Sequence, residues 1–235
     1  MDRVAWVIGG GSGIGRAAAR SLAATGARVV VSGRRADSLD ETVRLAGEGV
    51  TAIAFDATDG DALRAAHERV TETVGAVTDL VIAAGLNTPQ RLWRDQSMEQ
   101  FQSIVDTNLT AVARAIDVVL PSMRDAARGT IVVVSSYAGW LPTATSGVAY
   151  SASKTALGSL CVQLNWQEGA NGIRATHLCP GDVDSEFLEM RPVVPDAAAR
   201  QRMMRPEDVA RAIQFVLDTP PHVRIDELVI TPTGV

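Results

Sequence analysis

The sequence predicts a doubly wound α/β fold, a parallel sheet of about seven strands with helices on both faces. Three observations carry that prediction. Short β-branched runs recur with helical stretches between them, the runs are apolar without alternation, and the first passes directly into a glycine-rich loop that opens a helix. The strand candidates are VAWVI (4–8), ARVVVS (27–32), TAIAF (51–55), DLVIA (79–83), TIVVVS (130–135), IRATHL (173–178) and ELVIT (227–231). Continuous apolar character is what strands covered on both faces require, whereas a half-solvated antiparallel sheet alternates. Gly15–Thr25, Asp59–Val74 and Glu207–Asp218 carry apolar residues at helical spacing, with Asp59 and Pro206 as start signals. Such alternation of strand and helix gives right-handed crossovers, and ligands then bind at the carboxyl ends of the strands.

Length and composition narrow the class. The 235 residues support one large core. No Pro/Gly/Ser-rich tract, long run of like charge or internal repeat divides them, so residues 1–235 read as a single domain. A net charge of −5 argues against a nucleic-acid or anionic-membrane partner and favours a small-molecule one. No run of 18 apolar residues occurs, and the N-terminus enters the apolar run Val4–Ile8 at once without a charged leader region, so a cytoplasmic location is expected. Cys161 and Cys179 have neither CxxC nor metal-site spacing and read as buried free thiols. His67, His177 and His222 are far apart in sequence with no ligand partner at metal spacing, so no metal site is expected.

The first strand runs into GGGSGIG, residues 9–15. A glycine turn between strand and helix lets backbone N–H groups and a helix N-terminus meet a pyrophosphate. The spacing is GxxxGxG through Gly9, Gly13 and Gly15, with Gly11, Ser12 and Ile14 inside it. The missing GK[ST] ending argues against a P-loop, and a dinucleotide is the expected ligand. At the end of the second strand an NAD-binding chain places an Asp or Glu on the ribose 2′-hydroxyl. Here the chain reads SGRR, with Ser32, Arg34 and Arg35 and no carboxylate before Asp37. A hydroxyl and two guanidinium groups suit a 2′-phosphate, so NADP(H) is the expected cofactor and NAD(H) the alternative.

Chemistry is signalled by YSASK, Tyr150–Lys154. Lys154 is the only lysine, every other one of the 22 Lys+Arg residues being arginine, and it stands four residues after one of only two tyrosines. On a helix that spacing puts both side chains on one face. A neighbouring ammonium favours the phenolate, so the pair suits general acid/base work by a tyrosine of lowered pKa.

With these features in place, the chain resembles the short-chain dehydrogenase/reductase family over essentially its whole length. The resemblance rests on IGGGSGIG with Ile8 in the place of a threonine, Asp56 in FDATD, IAAG from Ile82 to Gly85 in the place of NNAG, DTNLT around Asn108, VVVSSYAG, YxxxK, and PGDVDS from Pro180 to Ser185. It implies a Rossmann domain, an adenine contact from Asp56 and Ala57, cofactor contacts from Ala84, Gly85, Pro180, Gly181, Val183 and Ser185, and a catalytic set of Asn108, Ser136, Tyr150 and Lys154. Tyr150 would exchange the proton, Ser136 would hold the substrate oxygen, Lys154 would also hold the nicotinamide ribose, and Asn108 would hold a relay water. The interval from Ser136 to Tyr150 is one residue longer than the commonest family spacing, which makes Ser135 and Tyr137 competitors for the serine's role. Residues 184–204 would form a substrate lid, with Trp93, Tyr137, Trp140, Phe187, Leu188 and Met190 near a partly apolar mouth.

The expected activity is therefore hydride transfer between a nicotinamide and a small carbonyl or secondary alcohol, in a homodimer or homotetramer. The competing function from another class is a cofactor-sensing regulator on the same fold. A complete catalytic set argues against it.

Overall fold

The computed structural model describes residues 3–233. Its single sheet contains β1 (Val4–Ile8), β2 (Arg28–Gly33), β3 (Val50–Ala54), β4 (Asp79–Ile82), β5 (Gly129–Val134), β6 (Ile173–Pro180) and β7 (Glu227–Ile230). All neighbours pair in parallel, in the order β3-β2-β1-β4-β5-β6-β7. The seven expected strands are thus present, β1 with the expected ends and the others with ends shifted by at most two residues. The helices are α1 (Gly13–Ala24), α2 (Ala36–Ala46), α3 (Gly60–Thr73), α4 (Met98–Val105), α5 (Ala111–Asp125), α6 (Tyr137–Trp140), α7 (Val148–Glu168), α8 (Ala197–Gln201) and α9 (Pro206–Leu217).

The absence of alternation in the strands has a direct structural cause. Ala5 and Val7 of β1 pack with Ala18, Leu22, Leu39 and Ile213 on the face covered by α1, α2 and α9. Trp6 and Ile8 of the same strand pack with Leu63, Val70, Ile116 and Leu157 on the face covered by α3, α5 and α7. Both faces are core, so both registers are apolar. Trp6 is fully buried, and its indole N–H donates to Ser32 Oγ at 2.9 Å.

Strand order reverses between β1 and β4, the point at which a crevice opens at the carboxyl ends of a parallel sheet. There Gly9 and Gly10 donate their amides to the Ser32 carbonyl at 2.7 and 3.0 Å. Ala83 and Ala84 donate theirs to the Ile8 carbonyl at 2.8 and 3.1 Å. These bonds supply the support that a threonine at position 8 and asparagines in the IAAG segment would otherwise give. Between α4 and α5 the backbone makes one π-helical turn, Asp106–Thr110, a distortion that recurs at functional sites.

Candidate active site

Two of the loop glycines are sterically required. Gly9 has φ +87°, and a Cβ there would stand 2.4 Å from the Ala84 amide nitrogen. A Cβ on Gly15 would stand 2.1 Å from the Gly9 carbonyl oxygen. The turn therefore lies flat against β4, and α1 begins two residues earlier than the sequence suggests. Ser12 caps α1 without a side-chain hydrogen bond, and no acidic residue sits in the first turn. The helix thus presents uncapped N–H groups and an unopposed positive dipole end to the crevice, which is the fit a pyrophosphate needs. Arg16, which the sequence reading passed over, fixes the loop by donating to the Gly11 and Ser38 carbonyls and to Thr42 Oγ1.

At the end of β2 one expectation is corrected. The Ser32 hydroxyl is spent in the core on Trp6, so its side chain does not face the crevice; only its carbonyl supports the loop. Arg34 and Arg35 are exposed. Arg35 pairs with Glu186 at 3.0 Å, whereas Arg34 makes no direct ion pair among the described residues. Burial pushes the Asp56 carboxyl up, but the Thr58 amide and hydroxyl and the Arg34 charge bring it below the usual carboxylate range. Ala57 packs at the edge of the core beside it.

The four residues expected to do chemistry converge. Tyr150, Ser153 and Lys154 occupy one buried face of α7 at i, i+3 and i+4. Lys154 Nζ donates to the Val134 carbonyl at 2.9 Å and lies 5.9 Å from the centroid of the Tyr150 ring. Ser136 caps α6, its Oγ accepting from the Ala138 amide at 3.2 Å, and its hydroxyl acts on the Tyr150 phenol to hold its pKa down. Ser135 instead points inward and donates to the Lys154 carbonyl at 3.1 Å. The phenol thus feels Ser136, while Ser135 is engaged with the Lys154 backbone. Ser136→Ala is expected to cut turnover roughly 10²-fold or more, as loss of an oxyanion donor does. Ser135→Ala is expected to change thermal stability more than turnover, and steady-state kinetics on both variants checks the assignment.

Asn108 lies in the π turn, fully buried. Its Oδ1 accepts from the Leu86 amide at 2.7 Å, and its Nδ2 donates to the Leu86 carbonyl at 2.9 Å and to Ser153 Oγ at 3.2 Å. The side chain expected to hold a relay water is therefore engaged in bracing the chain after β4. A Cβ on Gly85 would stand 3.7 Å from Lys154 Nζ and from the Phe187 ring, and 3.8 Å from Asn108 Oδ1. One point beside Gly85 is thus bordered by lysine, asparagine and the segment after β6.

The electrostatics differ from expectation. Burial pushes the Tyr150 phenol above its ordinary value, while the Ser136 hydroxyl and the charges of Arg91 and Arg191 pull it back. Lys154 is itself pushed down to about 8 by burial, with only Cys179 acting to raise it. The cations credited to one lysine are therefore supplied in part by two arginines that no motif flagged.

After β6, Gly181 donates to the Ile230 carbonyl at 2.8 Å and Val183 bridges Met204. Ser185 Cβ stands 3.3 Å from the point a Cβ on Gly13 would occupy, which brings the PGDVDS segment against the glycine loop. Residues 184–204 hold a 3₁₀ turn, Glu186–Met190, and α8, and are tied down by ion pairs of Asp184 with Arg200 and Arg205 and of Glu189 with Arg200. The expected mouth residues separate. Phe187 lies 5.9 Å from Tyr150, and Tyr137 meets Trp140 edge-on at 5.4 Å. Leu188 is buried, Met190 is half-buried and presents its carbonyl to Arg91, and Trp93 is 78% exposed, so it lines no enclosed wall.

His177, Cys179 and Glu227 gather on β6 and β7 with ligand atoms within 4.8 Å of one another, a grouping that sequence spacing did not reveal. Cys179 Sγ lies 3.4 Å from Nδ1 and 3.6 Å from Nε2 of His177. A sulfur nearly equidistant from both ring nitrogens sits over the imidazole face, away from the in-plane direction of a ligand bond. Cys161 and Cys179 are both buried thiols, and burial pushes each up to about 12.

Residues 3–192 match the family model described as short chain dehydrogenase, and the chain belongs to that family. An uncharacterized oxidoreductase of Staphylococcus saprophyticus is 31% identical, with 99% of this chain and 98% of that protein covered. Among solved structures, the closed form of a serine dehydrogenase complexed with NADP+ superposes with a TM-score of 0.90 at 25% identity, covering 99% of this chain and 96% of that one. An alcohol dehydrogenase from the archaeon Thermococcus sibiricus, complexed with 5-hydroxy-NADP, superposes with a TM-score of 0.86 at 26% identity over 99% and 97%. The protein is thus an oxidoreductase of this family with its seven-stranded parallel sheet. No helix among the described residues is long and apolar enough to cross a membrane.

Proposed function

We propose that this protein is an NADP(H)-dependent oxidoreductase that interconverts a small secondary alcohol and its carbonyl, with Tyr150 as the general acid/base. The observation that carries this reading is the placement of Lys154 and Asn108 beside Gly85, with Tyr150 one turn before Lys154 on the same buried face of α7 and Ser136 acting on its phenol, near the uncapped start of α1. Gly9–Gly15 and the α1 N-terminus would hold the pyrophosphate, Asp56 and Ala57 the adenine, and Lys154 the nicotinamide ribose. The nicotinamide supplies a hydride acceptor, or donor in the reverse direction.

In oxidation the carbinol oxygen binds between Ser136 and Tyr150. Tyr150 takes the O–H proton as the C–H bond breaks and its electron pair leaves as hydride; the substrate is oxidised and the cofactor reduced. In reduction the phenol returns the proton. Ser136 donates to the oxygen where negative charge develops. Asn108 is a positioning residue, since it fixes Leu86 and Ser153 around the reacting point. Residues 184–204 act as the lid, with Phe187 excluding water above Tyr150. The matching structures with NADP+ and 5-hydroxy-NADP support the cofactor reading, as does the bare Arg34 guanidinium at the end of β2.

The test is an equilibrium titration of NADPH and NADH, followed by tryptophan fluorescence, on the wild type and Arg34→Ala. NADPH is expected to bind at least about tenfold tighter, worth about 1.4 kcal/mol, and the substitution to remove the gap. Equal or tighter binding of NADH would turn the assignment to NAD.

A further inference from the structure

The mouth of the site holds a buried cation without an acidic partner. Arg91 is 8% exposed. Its Nε donates to the Thr88 carbonyl at 3.0 Å, Nη1 to the Thr145 carbonyl at 3.4 Å and Nη2 to the Met190 carbonyl at 2.7 Å. A guanidinium has five N–H donors, so one on each terminal nitrogen remains. Every carboxylate of the neighbouring segment is committed elsewhere. Asp182 pairs with Arg191 at 2.5 Å, Asp184 with Arg200 and Arg205, Glu186 with Arg35, and Glu189 with Arg200. Asp95, the acid closest in sequence, accepts from the Leu92 amide at 2.7 Å. Arg91 has no carboxylate partner among the described residues.

The position of this charge matters as much as its isolation. The Arg91 carbonyl accepts from the Val148 amide at 3.0 Å, at the start of the helix that bears Tyr150. Its guanidinium reaches Met190, in the same turn as the Phe187 ring that covers Tyr150. Arg191 follows directly, and the two guanidinium groups repel each other while both act on the phenol. Burying an unpaired charge is costly, and folded proteins neutralise it with a partner. Here the partner is missing at the place where substrate enters. Arginine's planar fork is matched to carboxylate geometry.

We propose that Arg91 forms an anion subsite, with Arg191, itself paired to Asp182, adding to the positive charge beside it. On this view the substrate is a small hydroxy acid, or the oxo acid it becomes, whose carboxylate meets Arg91 while its carbinol oxygen lies between Tyr150 and Ser136. The inference rests on the hydride-transfer reading above and adds the substrate's charge. The carboxylate stays ionised throughout and takes no part in the electron count. It selects and orients, so Arg91 is a binding residue.

Matched substrates test this with the whole protein and NADP+: 3-hydroxybutyrate against its methyl ester, lactate against its methyl ester, and 2-butanol as a neutral reference. The wild type is expected to prefer an acid over its ester at least tenfold in kcat/KM. Arg91→Gln is expected to collapse that preference through the KM of the acid, the acid losing far more than the ester. Arg91 also ties three backbone segments together, and a variant that fails to fold would speak only to that role. Arg191→Gln, on the more exposed partner, is therefore made in parallel and is expected to lower the preference several-fold. On the wild type alone, propionate is expected to inhibit competitively where propionamide does not.

Ester used as well as acid by the wild type, or propionate and propionamide inhibiting alike, overturns the proposal. So does an equal loss for acid and ester in Arg91→Gln, which would mark the arginine as a strap. Turnover of 2-butanol with refusal of both acids sinks the anion subsite while leaving hydride transfer standing. Failure of every compound with both NADP+ and NAD+ counts against the oxidoreductase reading itself, and the subsite falls with it.

Discussion

Tyr150→Phe is expected to lower turnover by roughly 10³-fold while NADPH still binds within a few-fold of the wild type. Positioned proton transfer contributes about 10² to 10⁴-fold. The phenol also feels Ser136, the residue proposed to hold the substrate oxygen. The substitution removes one oxygen from a buried ring whose packing against Phe187 persists, so the fold should survive. Because burial and not Lys154 dominates the phenol's environment, its proton is held more tightly than in a free tyrosine. In oxidation the phenolate is the working base, so the rate should climb as pH rises toward the alkaline range. In reduction the phenol is the working acid and the rate should stay level through neutral pH. Initial rates in both directions across pH, with cofactor affinity measured separately, check the assignment.

Lys154→Met should remove activity and yet stabilise the protein. Lys154 is almost fully buried, and burial pushes its ammonium from 10.5 down to about 8. A lysine whose folded-state pKa lies below its unfolded one binds its proton less well when folded, so the burial cost is full below about pH 8. That cost is relieved as pH rises from about 8 toward 10.5, where the folded protein releases the proton first. A shift of this size corresponds to about 3 kcal/mol at pH 7. Methionine escapes it but strands the Val134 carbonyl, which costs about 1 kcal/mol. The expected outcome is a Tm several degrees above the wild type at pH 7, with the gap closing as pH approaches 10.5. A lower Tm at pH 7 would show that the buried ammonium stabilises the fold and overturn the burial-cost argument. Arginine in this place would bring a wider head and a charge that burial does not readily neutralise, which accounts for the one lysine in an arginine-rich chain.

Much of this architecture was legible because local and global signals agree. The strands read correctly from the β-branched runs, and the reason is visible in β1, where Ala5 and Trp6 face different but equally dry cores. Gly9 and Gly15 were legible because backbone lies within 2.4 Å of any added carbon. The YSASK spacing put Tyr150 and Lys154 on one helix face, and the same rule would have found Ser153 at i+3. Three features were not legible, each for a physical reason. Ser32 sits at the right place in sequence but alternates inward, where only a tertiary neighbour, Trp6, decides its fate. Arg91 lies in an irregular segment without period or motif, and its importance comes from the Thr145 and Met190 carbonyls brought from distant segments, with Thr88 beside them. The His177–Cys179–Glu227 cluster forms across two paired strands 50 residues apart.

The most direct test of the central claim uses NADPH carrying deuterium at the transferable C4 position, a panel of small ketones and oxo acids, and mass spectrometry of the product alcohol. Deuterium is expected on the carbinol carbon with the wild type and none above background with Tyr150→Phe. Absence of transfer with both NADPH and NADH, from a protein that binds the cofactor normally, would contradict that claim and point to a cofactor-sensing regulator on the same fold.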